Sequence, residues 1–279
     1  MPFFTYMSRI DRRYIYGIIA LAVAIPLLKP VGLPLAVSPL VNQAYQAVQQ
    51  LPDGAMVLIG FDYEPGSVAE VHPQAVAILR ILVAKNMKVV TFTSFPVSGK
   101  FADQALKASY APAKKVYGED YVNLGYYAGA ESSLAAFCEN PRNVFKADYN
   151  GAPIDSLPLM KKVTGIKDFA MAITFNDGPG TGCNTVMWVR QANISHKRPL
   201  LLGVTGISGP GSMPYLDSKN VVGVMVGLKA AAELEQISGK AGVATSAMDA
   251  LSISHLLVVF MILVGNVGLF VEKRHRRAA

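Results

Sequence analysis

Residues 56–95 read MVLIGFDYEPGSVAEVHPQAVAILRILVAKNMKVVTFTSF, and this stretch decides the fold class. It begins with a short, wholly apolar run, which is typical of a strand buried on both faces. Residues 74–85 have the apolar spacing of a helix and follow Pro73, a good first-turn residue. Residues 88–95 form a second strand-like run. A strand, a helix and a strand in this order predict a βαβ unit of a parallel sheet.

The same alternation continues along the chain. Three further apolar runs read as strands, at 121–126, 168–175 and 199–206. Helical patterns precede, separate and close them, at 41–50, 101–117, 129–138, 184–192 and 222–236. We therefore predict a doubly wound, three-layer (Rossmann-like) α/β domain with a mainly parallel sheet of about five strands.

Two long runs without a charge flank this domain, at 14–28 and 251–271. At about 1.5 Å per residue the second is roughly 31 Å long, enough to cross a bilayer. The first reaches only about 22 Å and needs its apolar neighbours to span. We predict one N-terminal and one C-terminal transmembrane helix. The predicted divisions are 1–29 (tail and first helix), 30–55 (linker and short helix), 56–239 (α/β domain) and 240–279 (second helix and basic tail).

A cleaved signal peptide is the alternative for the first run, because arginines precede it and the small residues Ala36 and Ser38 follow it. Pro39 stands just after that would-be cleavage site, where a signal peptidase is expected to fail. We therefore interpret the run as an uncleaved anchor.

Charge placement predicts the orientation. Eight of the 26 Lys and Arg residues, but only two of the 19 Asp and Glu residues, lie in the two tails, so nearly all of the net charge of +7 is there. Basic residues outside both spans mark the cytoplasmic side, which leaves the domain in the periplasm or outside, on an inner (cytoplasmic) membrane. A nucleic-acid binder would carry this charge on its folded domain, so no nucleic-acid partner is expected. Anionic lipid headgroups remain a possible contact for the C-terminal tail.

The two cysteines, Cys138 and Cys183, lie in the predicted outer domain, where oxidising conditions permit a disulfide. Each could equally be a buried small hydrophobic residue. No Cys and His spacing suggests zinc, and we expect neither a metal nor a cofactor.

Three segments carry a resemblance to a known group: DYVNLGYYAGAE (120–131), LPLMKKVTGIKDF (157–169) and VTGISGPGSMPYLDS (204–218). They resemble a bacterial family of two-span membrane proteins, and the alternation of elements resembles flavodoxin-like and periplasmic-binding-protein-like domains. The likeness covers nearly the whole chain with both anchors. It implies the architecture and no catalytic residues.

Ligands of doubly wound sheets bind beyond the carboxyl ends of the strands, so the loops after the strands predict the binding site. All five are rich in glycine, hydroxyl or amide groups, which also make ordinary tight turns. The ligand-binding candidates are Asp62, Glu64, Ser94, Asn123, Asn176, Asp177, Gly178, Gly180, Thr205 and Ser208.

The most glycine-rich of these loops, FNDGPGTG (175–182), matches neither GxGxxG nor GxxxxGK[ST] and has no lysine for a terminal phosphate. Asp177, Asp62 and Glu64 would repel a phosphate at the same edge. A neutral polar ligand, an amine or a cation suits these carboxylates better, although helix N-termini keep a phosphate conceivable.

Enzymatic activity is the weaker hypothesis. A hydrolase needs a nucleophile beside a base, and the chain has no GxSxG elbow. His72 could join Asp62 and Glu64 at the strand ends, but a histidine there more often lies at a helix start without a catalytic role. His196 falls on a loop before a strand, at the wrong edge.

The second apolar run contains polar residues, which at membrane depth usually face protein or water. His255 and Asn266 are these residues, and Gly265 and Gly268 allow a close helix approach beside Asn266. We predict a non-enzymatic accessory or scaffold subunit whose partners are the lipid bilayer and other membrane subunits or a second copy. The alternative is an extracytoplasmic small-ligand sensor that uses the strand-end crevice.

Overall fold

The structure is a computed structural model that describes residues 11–178 and 182–278. The chain divides into two compact units. One runs from Leu35 to Lys240, and the other combines the segment that ends at Pro34 with the segment that begins at Ala241.

The larger unit is built on a six-stranded sheet in which every neighbouring pair is parallel. Its strands are β1 (Met56–Asp62), β2 (Lys88–Thr93), β3 (Tyr121–Tyr126), β4 (Met171–Asn176), β5 (Leu200–Val204) and β6 (Gly223–Val226). They are ordered β3-β2-β1-β4-β5-β6. The chain therefore winds in one direction from β1 to β3 and in the other from β4 to β6, which is the doubly wound arrangement.

Helices cover both faces of the sheet and make three layers. The first face packs against α2 (Pro39–Gln49), α3 (Val68–Ala84), α4 (Ser98–Tyr110) and α8 (Gly227–Ile237). The second face packs against α5 (Ala130–Glu139), α6 (Thr185–Trp188), α7 (Gly209–Asp217) and the irregular connection before β4. Side chains of β1 alternate between the two cores, with Ile59 in the first and Leu58 in the second.

The sheet has one strand more than the sequence predicts. The predicted helix at 222–236 is wrong in its first part, because β6 occupies Gly223–Val226 and α8 starts only at Gly227. The run VVGVMV is rich in β-branched residues, which favour strands. Gly227 then turns the chain with a φ of +64°. Helix α7 was not predicted, since its sequence GPGSMPYLD contains two glycines and two prolines.

The irregular connection between α5 and β4 is tied together by one side chain. Arg142 donates from Nη1 to Val163 O (2.8 Å) and from Nη2 to Met160 O (3.1 Å), and its Nε pairs with Asp155 at 2.7 Å. Two of these bonds satisfy backbone carbonyl groups in a segment that has short 3-10 turns but no long helix or strand.

The second unit contains α1 (Arg12–Leu28) and α9 (Val243–Ala278), which contact each other. Asp249 of α9 accepts hydrogen bonds from the backbone N of Val31 (2.8 Å), Gly32 (2.8 Å) and Leu33 (3.0 Å). This carboxylate therefore ties the chain that leaves α1 to the start of α9.

Two helices among the described residues are long and apolar enough to cross a membrane, Pro65–Ala84 and Val243–Val271. Half of the most apolar 18-residue window of the first is buried inside the sheet unit, so it is a core helix there, whereas only 6% of the corresponding window of the second is buried. The predicted N-terminal span corresponds to α1, whose 17 residues fall short of the usual length of about 20 residues.

Candidate functional site at the carboxyl ends of the strands

The reversal of winding lies between β1 and β4, whose last residues, Asp62 and Asn176, are register partners. Loops that follow parallel strands meet at one edge of the sheet, and the reversal opens a crevice there. The predicted ligand-binding residues are all drawn from this edge, but the structure gives them different surroundings.

Asp62 is fully buried, and its carboxylate is used inside the domain. It accepts hydrogen bonds from Ser94 N (2.8 Å), Ser94 Oγ (2.6 Å) and Trp188 Nε1 (2.8 Å). Burial raises the pKa of Asp62 to about 6, although these donors act in the opposite direction. Asp62 and Ser94 therefore do not face a ligand. They connect β1 to the loop that follows β2, and also to α6.

A glycine makes this network possible. A Cβ at Gly60 would overlap both the Trp188 ring and the Asp62 carboxylate. Trp188 also stacks on Phe92, with ring centroids 5.5 Å apart. Sequence reasoning treated Gly60 only as part of an apolar strand and assigned Trp188 no role, because no local pattern links positions so far apart.

Both cysteines are free and buried, so the disulfide that the sequence permits does not form. Cys183 N donates to Ser94 Oγ, and its Sγ lies 3.0 Å from the Tyr127 hydroxyl. Burial raises the pKa of each thiol to about 12. Cys183 and Cys138 are therefore protonated packing residues rather than nucleophiles.

The two predicted asparagines, Asn123 within β3 and Asn176 at the end of β4, are also fully buried. Asn123 donates from Nδ2 to Gly99 O and accepts from Gly125 N, both at 3.0 Å, and so holds the end of β3. Asn176 accepts from Thr185 Oγ1 at 3.2 Å, while its Nδ2 has no hydrogen-bond partner among the described residues.

The remaining predicted residues connect neighbouring loops. Glu64 is exposed, and its backbone N donates to Asp177 Oδ2 at 2.7 Å. Ser208 Oγ donates to Asp177 O at 2.9 Å and accepts from Thr205 Oγ1 at 3.1 Å. Gly178 has a φ of +114° and lies directly against Ser208, where a side chain would not fit. Gly180 lies outside the described residues.

A crevice of about 280 Å³ opens between the loops that follow β4 and β5. Of the described residues, two predicted ones line it, Gly178 and Ser208, together with seven that sequence reasoning missed: Asn184, Thr185, Val186, Ile207, Gly211, Ser212 and Tyr215. The missed residues lie beyond the strand ends, on α6 and α7 or just before these helices. If α7 had been recognised in the sequence, it would have placed Gly211, Ser212 and Tyr215 beside this crevice.

A larger cleft, of about 380 Å³, lies between α2 and residues at the amino ends of β4 and β5, and is lined by Gln43, Gln46 and Met171 among others. Doubly wound folds bind ligands at the opposite edge, where glycine turns let a ligand approach the backbone. The smaller crevice is therefore the better candidate.

His72 does not join Asp62 in a catalytic cluster. Its Nδ1 lies 2.8 Å from the Tyr63 hydroxyl, and its ring packs against Phe101. Burial lowers the pKa of His72, which keeps the ring neutral. Among the described residues, no group of three His, Cys, Asp or Glu side chains could hold a metal ion.

The predicted partner-facing residues of α9 separate into two kinds. His255 and Asn266 are exposed, and each forms a hydrogen bond with the helix itself, at Leu251 O (2.8 Å) and Ile262 O (2.9 Å). Gly268 is buried, whereas a Cβ at Gly265 would meet open space. The two glycines therefore do not form one surface with Asn266.

Fold and crevice together define a doubly wound α/β domain with a concave site at its strand-end edge. Comparisons of the chain with family models, curated proteins and solved structures give no match. The resemblance to a two-span bacterial family stays a prediction.

Proposed function

We propose that the chain is a membrane-anchored, non-enzymatic accessory or scaffold subunit of a larger membrane assembly. The observation that carries this proposal is α9. Its segment Val243–Val271 is apolar, exposed or half-buried over most of its length and long enough to span a bilayer, and it contacts α1. A large apolar surface of this kind requires lipid or protein around it.

The proposed topology has α1 and α9 in the inner membrane, both termini in the cytoplasm and the α/β domain outside. It is supported by the Lys and Arg residues at the outer ends of both apolar runs. A phosphatase fused after Ala279 is then inactive, and Gly66→Cys reacts with a membrane-impermeant maleimide on intact cells. Gly66 has open space around it, while both native thiols are buried. Labelling of the C-terminal tail from outside would reverse the topology.

One face of α9 is the proposed contact with partner subunits. At about 100° per residue, His255 and Asn266 lie within about 20° of each other around the helix axis. Val259 and Ile262 fall on the same stripe, and all four side chains are exposed. A stripe that carries polar side chains on a spanning helix is expected to face protein. Donors on a partner subunit can then bond to the free lone pairs of His255 and Asn266.

Gentle detergent extraction of the affinity-tagged chain, followed by native mass measurement, tests the assembly. We expect a species larger than one chain with its detergent. The double variant His255→Leu with Asn266→Leu should still insert, because leucine favours the bilayer, but should retain fewer co-purifying subunits. The matched control is Leu256→Ala, at an exposed position about 100° away around the helix. A single-chain mass for the wild-type protein contradicts the proposal.

A second candidate function, small-ligand binding outside the membrane, is favoured by the crevice between the loops after β4 and β5. A concave site with convergent polar groups at the carboxyl edge is the usual binding site of such folds. The two functions are compatible in one subunit, since a ligand sensor also needs partners to pass on its signal.

A further inference from the structure

The crevice after β4 and β5 carries a more specific inference, which rests on the ligand-binding candidate function. Its apolar lining comes from three side chains at its mouth and wall, Val186, Ile207 and Tyr215. Ile207 is 94% exposed on the loop between Gly206 and Gly209, and Val186 is 44% exposed. Exposed branched side chains beside a cavity form a surface that gains from being covered by an apolar ligand.

Polar atoms in the same crevice have unused hydrogen-bonding capacity. Thr185 Oγ1 donates to Asn176 Oδ1 and Ser212 Oγ donates to Ser208 O, so each oxygen keeps free lone pairs. Asn184 Oδ1 accepts from Met187 N, which leaves its Nδ2 as a donor. The crevice therefore offers both acceptors and a donor to a ligand.

Among the residues that the structure describes, no Lys, Arg, His, Asp or Glu lines this crevice. A charged ligand would lose hydration there without gaining a counterion, which is costly. The neighbouring acid, Asp177, precedes the lining residue Gly178 and already accepts from Glu64 N. Its negative charge disfavours an anion further.

The volume limits the size of the ligand. About 280 Å³ lies just below the range of roughly 300–1,000 Å³ typical of sites for drug-sized molecules. We propose that the crevice binds a small uncharged molecule that combines one planar apolar ring with an amide or hydroxyl group. The ring lies against Ile207, Val186 and Tyr215, and the polar group bonds to Thr185, Ser212 or Asn184.

Three ring compounds of matched shape test the charge requirement: benzamide (neutral), benzoate (anionic) and benzylamine (cationic). Their binding to the full chain in detergent is measured by ligand-observed saturation-transfer NMR, with empty micelles subtracted. We expect benzamide to bind at least about tenfold more tightly than either ion, a difference of about 1.4 kcal/mol. Equal or tighter binding of benzoate or benzylamine, or no benzamide signal at millimolar concentration, overturns the proposal.

A pair of glycines provides the variant and its control. Gly211 lines the crevice, and a Cβ there meets nothing within 4 Å, so Gly211→Leu fills the crevice without a clash in the fold. Gly66 is equally open but lies outside the crevice, so Gly66→Leu is the matched control. We expect about a tenfold loss of benzamide affinity in the first variant and less than about a twofold change in the second.

Unchanged benzamide binding by Gly211→Leu would place the ligand elsewhere and overturn the proposal. Trp188 fluorescence, which reports on the fold of the domain, shows that both variants are folded before they are compared. The assembly of the chain is read from co-purification and does not depend on benzamide. Failure of this inference is therefore distinguishable from failure of the proposed scaffold function.

Discussion

The strand ends of the sheet unit and the exposed face of α9 satisfy their polar side chains in different ways. In the sheet unit, Asp62 and Asn123 bond to groups that are distant along the chain, such as Trp188, 126 positions away. In the helix unit, His255 and Asn266 bond to carbonyl oxygens four residues earlier on the same helix. The first kind of bond requires the tertiary fold, and the second requires only a helix.

This difference teaches how each unit responds to change. A buried group whose partners come from distant elements leaves those partners unsatisfied when it is removed, which costs about 1–3 kcal/mol for each. A polar side chain that bonds to its own helix can be replaced by leucine with little loss. The sheet unit should therefore be sensitive at its strand ends, and α9 should be tolerant on its exposed face.

The largest effect is expected for Asp62→Ala. It leaves Ser94 N and Trp188 Nε1 buried without an acceptor, so the free energy of unfolding at neutral pH should fall by about 4 kcal/mol. Denaturant unfolding of the full chain in detergent, followed through Trp188, the only tryptophan, measures this loss. Glu64→Ala is the control, because its exposed side chain should change stability by less than about 0.5 kcal/mol. A similar small change in both variants would remove the contrast between the two units.

The pH dependence of the free energy of unfolding should report the ionisation of Asp62. The pKa of Asp62 is about 6 in the folded state against 3.8 for a free aspartate, so the folded state binds the proton more tightly. Stability is therefore highest below the free value and falls by up to about 3 kcal/mol as pH rises through about 6. Unfolding curves between pH 4 and pH 7, compared with those of Asp62→Asn, isolate this group. Equal slopes of the unfolding free energy against pH in both proteins would show that Asp62 does not cause the pH dependence.

A smaller effect is expected within the helix unit. Buried and half-buried positions of α9 recur at Leu257, Met261, Val264 and Gly268, with the spacing of a packed helix seam. Gly268→Leu should overpack this seam and cost about 2 kcal/mol. Gly265→Leu should be tolerated, because its side chain meets open space. Thermal loss of helicity in detergent, followed by circular dichroism, compares the two. Equal melting would show that Gly268 is not packed.

The smallest effect is expected for Asn266→Leu alone. Hydrogen bonds within membranes contribute on average about 0.6 kcal/mol, and Asn266 Nδ2 already donates one to Ile262 O. Association with partner subunits should weaken by a few-fold at most, as read from the dilution at which the assembly dissociates in detergent. Complete loss of the assembly with this single change would show that Asn266 contributes much more than one ordinary membrane hydrogen bond.

Much of the fold is predictable from local patterns. All five predicted strands are present, and their boundaries differ by at most a few residues, because a wholly apolar run between turns has few alternatives. The elements that were misread, β6 and α7, are short and rich in glycine or proline. Tertiary packing fixes such segments, since their intrinsic preferences are weak.

The candidate site was predicted less completely than the strands of the fold. The sequence predicts that the loops after the strands share one edge, because parallel strands align their carboxyl ends. It does not predict that Asp62 and Asn123 face inward, since the role of a strand-end side chain depends on elements that come later in the chain. Nor does it place Tyr215 and Gly211 in the crevice, because they lie on an unpredicted helix.

By itself, the sequence determined the alternation of strands and helices, the two long apolar segments and the concentration of basic charge in the tails. These follow from residue types and spacings within one segment. Only the tertiary structure decided the strand order, the sixth strand, the buried Asp62 network and the crevice between α6 and α7. The physical reason is that each of these depends on which distant groups meet, and a side chain is buried or exposed only after its neighbours have been placed.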